Sequence, residues 1–261
     1  MNRQVLASLR IQGRVINALL FREIITRYGR SNIGLLWLVA EPMLFTIGIA
    51  TLWYAVKLHT VSAIPIISFA LTGYSSVLIW RNSVNRSLNA ISINISLLYH
   101  KNVRAIDIFC SRAILEIVGG TCSFFILSVV LFVTGHIDYP SDLSILVTGW
   151  LLLCWFAWAL SLTIGALSEV SDTLERIWHV ITYLMFPLSG AVFMVDWLPT
   201  PAQHAVYWLP MVHGVEMVRH GFFGDKVITH EDPLYFIVVN LILTIFGLTA
   251  VSYVQSRVKP E

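Results

Sequence analysis

A chain of 261 residues that is 57% hydrophobic and 12% charged is not a soluble globular domain, where about a quarter of residues are charged. The length suffices for one membrane domain and leaves nothing for a second, soluble one. A net charge of +2 says little; the placement of the charges says more.

The chain opens on an arm in which Leu6, Leu9, Gly13, Ile16 and Leu20 recur at helical spacing, with Arg3, Arg10 and Arg14 on a neighbouring face. This predicts an amphipathic helix over residues 1–32, either lying in the membrane interface with its arginines at lipid phosphates or packed on other protein. Arg10, Arg14 and Arg22 interrupt any signal-peptide core, so no cleavable signal is expected. Six apolar runs then reach, or nearly reach, the length needed to cross a hydrocarbon core about 30 Å thick. They are 33–56, 63–80, 113–134, 143–167, 177–195 and 234–255, with Glu41 and Glu116 their only acidic residues and no Lys or Arg among them.

The first run places Glu41 and Pro42 about 12 Å of helix rise beyond its start. A carboxylate there costs a few kcal/mol if it faces lipid. Glu41 is therefore expected to face protein or a transport path, with Pro42 setting a helix start or a kink. After the second run, Val84, Leu88, Ile91, Ile95 and Leu98 continue the helical spacing, which predicts that the helix extends beyond the membrane. The polar, cationic stretch Tyr99, His100, Lys101, Asn102, Val103 and Arg104 then precedes the third run. An apolar stripe needs a partner, so residues 81–112 read as a docking element for a cytoplasmic protein. In the third run Glu116 sits one turn from Arg112, where an i, i+4 pair would neutralise it. The three cysteines, Cys110, Cys122 and Cys154, fall in or beside apolar runs without close pairing and predict buried thiols.

SEVSDTLER, residues 168–176, is acidic and reads as a second, minor contact or a plain turn. Residues 196–225 are too polar to span and too apolar for an ordinary loop. Pro199, Pro201 and Pro210 divide them, which predicts two short helices dipping into the membrane and returning. Met211, Val215, Val218 and Phe222 form one apolar face of the second. His213, Glu216 and His220 share a face as well, as a weak metal-like set or as a polar face with Glu216 paired to Arg219 or His220. With Trp208, these residues form a candidate outer gate. Fourteen of the seventeen Lys and Arg residues fall on one side of this topology, leaving Lys57, Arg219 and Lys226 on the other. Both termini are accordingly expected in the cytoplasm. The predicted fold class is an all-α integral membrane protein with six transmembrane helices, an N-terminal interfacial helix and two re-entrant helices between spans five and six.

No Walker A pattern, dinucleotide fingerprint, HExxH or CxxC occurs. The sequence FREIITRYGRSNIGLLWLVAEPMLF resembles the N-terminal signature of the permease subunits of type-2 ABC exporters. LLYHKNVRAIDIF, PLSGAVFMVDWLP and WLPMVHGVEMVRHGFFG narrow the resemblance to the capsular polysaccharide export permeases of Gram-negative bacteria, the KpsM type. The resemblance implies a homodimer in the inner membrane that exports lipid-linked polysaccharide and is not itself an enzyme. It also implies two copies of a separate ABC ATPase subunit carrying ATP and Mg, so that this chain binds no cofactor. A periplasmic adaptor and an outer-membrane export protein are the further partners, and nucleic acid is not one. In that setting residues 99–104 read as the ATPase-coupling element. Arg22, Arg27, Tyr28 and Arg30 are the candidates to meet an anionic lipid head, since a guanidinium grips phosphate through two parallel hydrogen bonds. Two other classes compete: a secondary transporter, favoured by a loop pattern of the kind inverted repeats produce, and an intramembrane glycosyl or acyl transferase, which lacks a convergent acid/base set.

Overall fold

The computed structural model describes residues 2–28, 33–55, 64–99 and 103–258. Their regular structure is helical: α1 (Asn2–Tyr28), α2 (Ile33–Ala55), α3 (Ile66–Ser87), α4 (Ala90–Ile93), α5 (Ala105–Val133), α6 (Leu143–Ser168), α7 (Asp172–Leu188), α8 (Thr200–Val206), α9 (Pro210–Phe223) and α10 (Pro233–Val258). Short 3-10 turns occupy Ile95–Tyr99, Val195–Trp197 and Gly224–Lys226.

Among the described residues four helices are long and apolar enough to cross a membrane: Leu36–Ala55, Ala105–Val133, Leu143–Ser168 and Pro233–Arg257. The second and fifth predicted runs correspond to α3 and α7, which differ for physical reasons. α3 packs against α2, α5, α6, α7 and α9, and every residue from 68 to 80 is buried. A helix sheathed by other helices needs small residues for close approach rather than apolar ones for lipid. Ser68, Thr72, Ser75, Ser76, Ser83 and Ser87 supply them. Their hydroxyls leave few orphan donors, because Thr72 donates to the Ser68 carbonyl at 2.9 Å and Ser76 to that of Thr72 at 2.6 Å. α7 has 17 residues and a polar first half, and it ends at Leu188 instead of continuing to residue 195. Pro187 weakens its last turn, and Gly190 takes φ +84°, which reverses the chain.

Two further expectations are corrected. The stripe from Val84 to Leu98 is not one helix: Asn89 adopts φ 49° and breaks it. Val84, Leu88 and Ile91 are buried, whereas Ile95 is exposed. Pro42 does not start a helix but lies well inside α2. Having no N–H, it leaves the carbonyl of residue 38 without its helical donor. α5 packs against this turn, where a Cβ on Gly119 would lie 2.6 Å from Leu38 Cγ.

The core is one large cluster that includes Phe69, Trp80, Leu153, Phe156, Val215 and Phe236. A smaller one, with Ile91, Phe109, Ala166 and Val254, lies at the end where α3, α6 and α10 finish. This second region is the basic end of the bundle. α1 lies there against α5 and α2, with Leu19 buried and Gln12 hydrogen-bonded to Asp107. Of the predicted α1 stripe, Ile16 and Leu20 are half-buried and Gly13 is exposed. A second stripe, Ile11, Ala18, Phe21 and Ile25, is left uncovered beside exposed Arg10 and Arg14.

At the other end α9 inserts among α3, α6 and α10. Twelve of the fourteen residues of Pro210–Phe223 are buried, among them the apolar Met211, Val215, Val218 and Phe222 and the polar His213, Glu216 and Arg219. Gly221 makes this possible, since a Cβ there would sit 2.3 Å from the Leu146 nitrogen.

Candidate functional site: a polar cleft, an aromatic ladder and two anchored ends

At the basic end α1, α3 and α5 meet in a cluster of ion pairs. Arg27 binds Glu116 and lies 3.4 Å from Glu23. Arg86 Nε is 3.7 Å from Glu116 and Arg112 Nε 3.4 Å from Glu23, while Arg112 Nη1 donates to the Arg86 carbonyl at 2.8 Å. The predicted pairing of Arg112 with Glu116 is therefore replaced by pairing across helices. An acid placed C-terminal to its base is the weaker i, i+4 order, and docking of α1 supplies a better partner. Arg22 donates to Asn94 Oδ1 at 2.7 Å. The guanidinium groups of Arg22 and Arg27 thus have protein partners. Arg30 and the side chain of Tyr28 lie outside the described residues.

Beside this cluster the segment from Asn89 to Tyr99 is tied to the turn between α6 and α7. Asn89 donates to Glu175 at 2.7 Å and its N–H to Ser168 Oγ at 3.1 Å. Glu169 accepts from the Ile91 and Ser92 amides at 2.6 and 3.1 Å. Glu169 and Glu175 make SEVSDTLER the clamp on this element, more than a plain turn. Ile93 and Tyr99 remain 67% and 68% exposed. Arg104 is exposed and caps α5, its N–H donating to Asp107 Oδ2 at 2.8 Å, and Val103 packs on the small cluster. His100, Lys101 and Asn102 lie outside the described residues.

Glu41 and Pro42 border an open cleft of about 330 Å³ between α2 and α3, whose other walls include Phe45, Arg81, Asn82 and Asn85. The Arg81 guanidinium lies over the rings of Phe186 and Tyr183, at 5.2 and 5.6 Å. From there aromatic rings follow one another along α2, α3 and α7. Phe186 touches Phe45 and Tyr74, Tyr74 touches Trp53, and Trp53 touches Phe69, with centroids 5.5–6.2 Å apart. Phe69 stacks on Trp197 at 5.1 Å. The ladder therefore runs from the basic end to the opposite one.

There Arg219, fully buried, lies 3.8 Å from the Phe69 ring centroid. Its Nη1 donates to the carbonyls of Gly190 and Phe193 at 2.6 and 2.5 Å, and its Nη2 to Ala191 at 2.9 Å. Glu216 accepts from the amides of His230 and Val195, at 3.2 and 3.4 Å, and pairs with neither Arg219 nor His220. His213 accepts at Nδ1 from the Asp232 amide at 3.0 Å, so its Nε2 carries the proton and donates to the Tyr207 carbonyl at 2.9 Å. His220 binds Glu231. Burial pushes the Glu231 carboxyl up, but hydrogen bonds from Thr229 and His220 outweigh it and leave the group below its ordinary range. The three α9 residues thus all hold the segment 230–232, and among the described residues they do not converge as a metal site; Trp208 is exposed at the surface.

The sequence model of the ABC-2 type transporter family matches residues 14–223. The chain belongs to that family. Over 97% of its length it is 44% identical to the capsule polysaccharide export inner-membrane protein BexB of Haemophilus influenzae, covering 96% of that protein. It is 45% identical over 98% of its length to the corresponding protein CtrC of Neisseria meningitidis, covering 97% of it. The polysialic acid transport protein KpsM of Escherichia coli is 24% identical over 91% of the chain and 92% of that protein. Sequence reasoning passed over the juxtaposition of Arg81 and Asn85 in the cleft, whereas Glu169 and Glu175 belong to the acidic segment it offers as a minor contact. Arg81 carries a signal of its own, being the first charge after an uncharged run, but reads equally as a topology determinant.

Proposed function

We propose that this chain is the membrane-spanning permease subunit of an exporter that moves lipid-linked capsular polysaccharide across the inner membrane. The observation that carries this reading is full-length similarity above 40% identity to proteins named for capsule polysaccharide export. The permease forms a homodimer of six-span subunits with both termini in the cytoplasm. α3 and α7 act as the less apolar spans, because one is sheathed by protein and the other has a face to pair with the second subunit. α1 lies at the inner leaflet with its uncovered stripe in lipid.

Energy comes from two copies of a separate ATPase subunit, which dock on Ile93, Tyr99 and the cationic stretch that follows. Docking there reaches α3 and α5 along the chain, and α6 and α7 through the clamp that Glu169 and Glu175 make on the element. The chain is not itself an enzyme. The aromatic ladder suits a sliding polymer, because ring faces meet the apolar C–H faces of sugars through many weak contacts. α8 and α9 close the outer end, where a periplasmic adaptor and an outer-membrane export protein take over. Secondary transport is disfavoured because Glu116, one of only two acidic residues in the predicted spans, is committed to Arg27 and Arg86.

Complementation tests this reading. A Haemophilus influenzae strain lacking BexB and carrying this gene together with the gene of its proposed ATPase partner is expected to display surface capsule. Polysaccharide retained inside the cell, at normal membrane levels of the protein, contradicts it.

A further inference from the structure

We propose that the cleft between α2 and α3 is a binding site for an acidic sugar unit, with Arg81 holding the carboxylate and Asn82, Asn85 and Glu41 bonding the ring substituents. This rests on the export reading and gives that reading a substrate class. The first observation is unmet hydrogen-bonding capacity. Among the described residues no hydrogen bond or ion pair engages Arg81, Asn82 or Glu41, and Arg81 Nε and Asn85 Oδ1 are buried without a protein partner. Arg112 Nε and Arg219 Nε are unbonded too, but those side chains are engaged through their other nitrogens, whereas among the described residues that of Arg81 is not. A buried polar atom left unbonded forfeits its hydration without recompense, and such groups in native proteins are normally matched by a partner.

The second observation is the kind of partner the array fits. Leu78, Arg81, Asn82 and Asn85 lie on one face of α3, opposite Glu41 and Phe45 of α2. They present one planar cationic fork, two amides that both donate and accept, and one carboxylate that accepts from hydroxyls. The fork matches a carboxylate bidentately, and the amides and Glu41 match hydroxyl and acylamino groups. A volume of about 330 Å³ falls in the range of small-ligand pockets. Glu41 opposes a purely anionic ligand such as inorganic phosphate and favours one in which a single acid group is flanked by hydroxyls.

The third observation is position. Phe45 is a wall of the cleft and also a rung of the aromatic ladder, in contact with Phe186. Arg81 is stacked over that same Phe186 ring, which orients its fork without consuming its hydrogen bonds. An acidic unit gripped here has its apolar ring face against the first rung. Arg86, also at the cleft, shares its charge with Glu116 at 3.7 Å, so Arg81 is the cation left to set acid selectivity.

The test is binding to the purified full chain in detergent by titration calorimetry. The probes are a sialic acid oligosaccharide with a carboxylate on every unit, a neutral dextran oligosaccharide of equal length, and short-chain phosphatidylglycerol. The wild type is expected to bind the acidic oligosaccharide at least tenfold more tightly than the neutral one. Arg81→Gln should abolish that preference, Arg81→Lys should keep it at reduced affinity, and Asn85→Leu should weaken both sugars several-fold. Leu241→Ala, on the exposed face of α10, should change nothing, and the melting temperature and oligomeric state of each variant should match the wild type. Equal binding of both sugars by the wild type, or an unchanged preference in Arg81→Gln, overturns the proposal. Displacement of the oligosaccharide by phosphatidylglycerol would make the cleft a lipid-head site and overturn it too. So would dissociation of the Arg81→Gln protein into smaller species, which would make Arg81 a contact between subunits. Failure of the wild-type gene to restore capsule, with Arg81-dependent sugar binding intact, would sink the export reading alone.

Discussion

Arg219 on α9 lies with its Nη1 2.6 Å from the carbonyl oxygen of Gly190, just past the end of α7. The same nitrogen reaches Phe193, and Nη2 reaches Ala191, so one guanidinium satisfies three carbonyls of a reversing turn. A cation at a helix C-terminus also meets the negative end of its dipole. Gly73 leaves the room, since a Cβ there would sit 2.5 Å from Nη2. Arg219→Leu strips three buried acceptors at once and should cost about 3 kcal/mol or more. Melting of the purified protein in detergent reads this as a large fall in Tm; Arg219→Lys, a point charge without a fork, should fall between. An unchanged Tm in both variants would show the contacts to be incidental.

Insertion of α9 depends on close backbone approach at Gly221, opposite Leu146. Gly221→Ala should therefore destabilise by about 1–3 kcal/mol, the usual cost of overpacking. Gly13→Ala, which meets nothing within 4 Å, should be neutral or slightly stabilising because alanine favours a helix. Denaturant midpoints of the two variants, measured side by side, give the comparison. Equal midpoints would contradict the packing account.

At the basic end Glu116→Leu alone should cost about 1–3 kcal/mol, because Arg27 and Arg86 each lose a charged partner while Arg27 keeps Glu23 at 3.4 Å. Adding Arg27→Met should recover part of that loss, a coupling of about 0.5–3 kcal/mol. Strict additivity in the double-mutant cycle would mean that the pair is not coupled in solution. The exposed pair of Lys226 and Asp138 should show no measurable coupling.

Sequence reading succeeded where lipid or water decides a residue's neighbours. α6 begins at Leu143 as expected, because Asp142 caps it by accepting from the Ser144 and Ile145 amides. α10 was legible from its unbroken apolar run, and the two short helices after α7 from Pro199, Pro201 and Pro210. Reading failed where protein decides. α5 begins at Ala105 rather than 113 because Asp107 and Arg112, polar enough to suggest a loop, are buried against α1 and α3. The sequence offers Glu216 as a partner for Arg219, whose actual partners are backbone carbonyls 26 to 29 residues upstream, which no side-chain pattern reveals. The break at Asn89 was hidden by an apolar stripe that continues past it. Of the candidate sites, Glu41 stood out as a carboxylate within an apolar run, whereas Arg81 acquires meaning only when α7 brings Phe186 beneath it.

The exposed apolar pair at the basic end makes a separate prediction. Ile93→Asp and Tyr99→Asp should each reduce co-purification of the ATPase subunit at least tenfold, since a charge at the centre of an apolar contact leaves it unpaired and desolvated. Neither side chain is part of the core, so Tm should hold. Undiminished ATPase association in the double variant would move the docking surface elsewhere.

The most direct measurement of the central claim is transport itself, in inverted inner-membrane vesicles containing this chain with or without its ATPase subunit. The account predicts ATP-dependent accumulation of lipid-linked polysaccharide inside the vesicles, lost when the ATPase subunit is omitted and insensitive to collapse of the proton gradient. Accumulation without the ATPase subunit, driven by an imposed ion gradient, would contradict it.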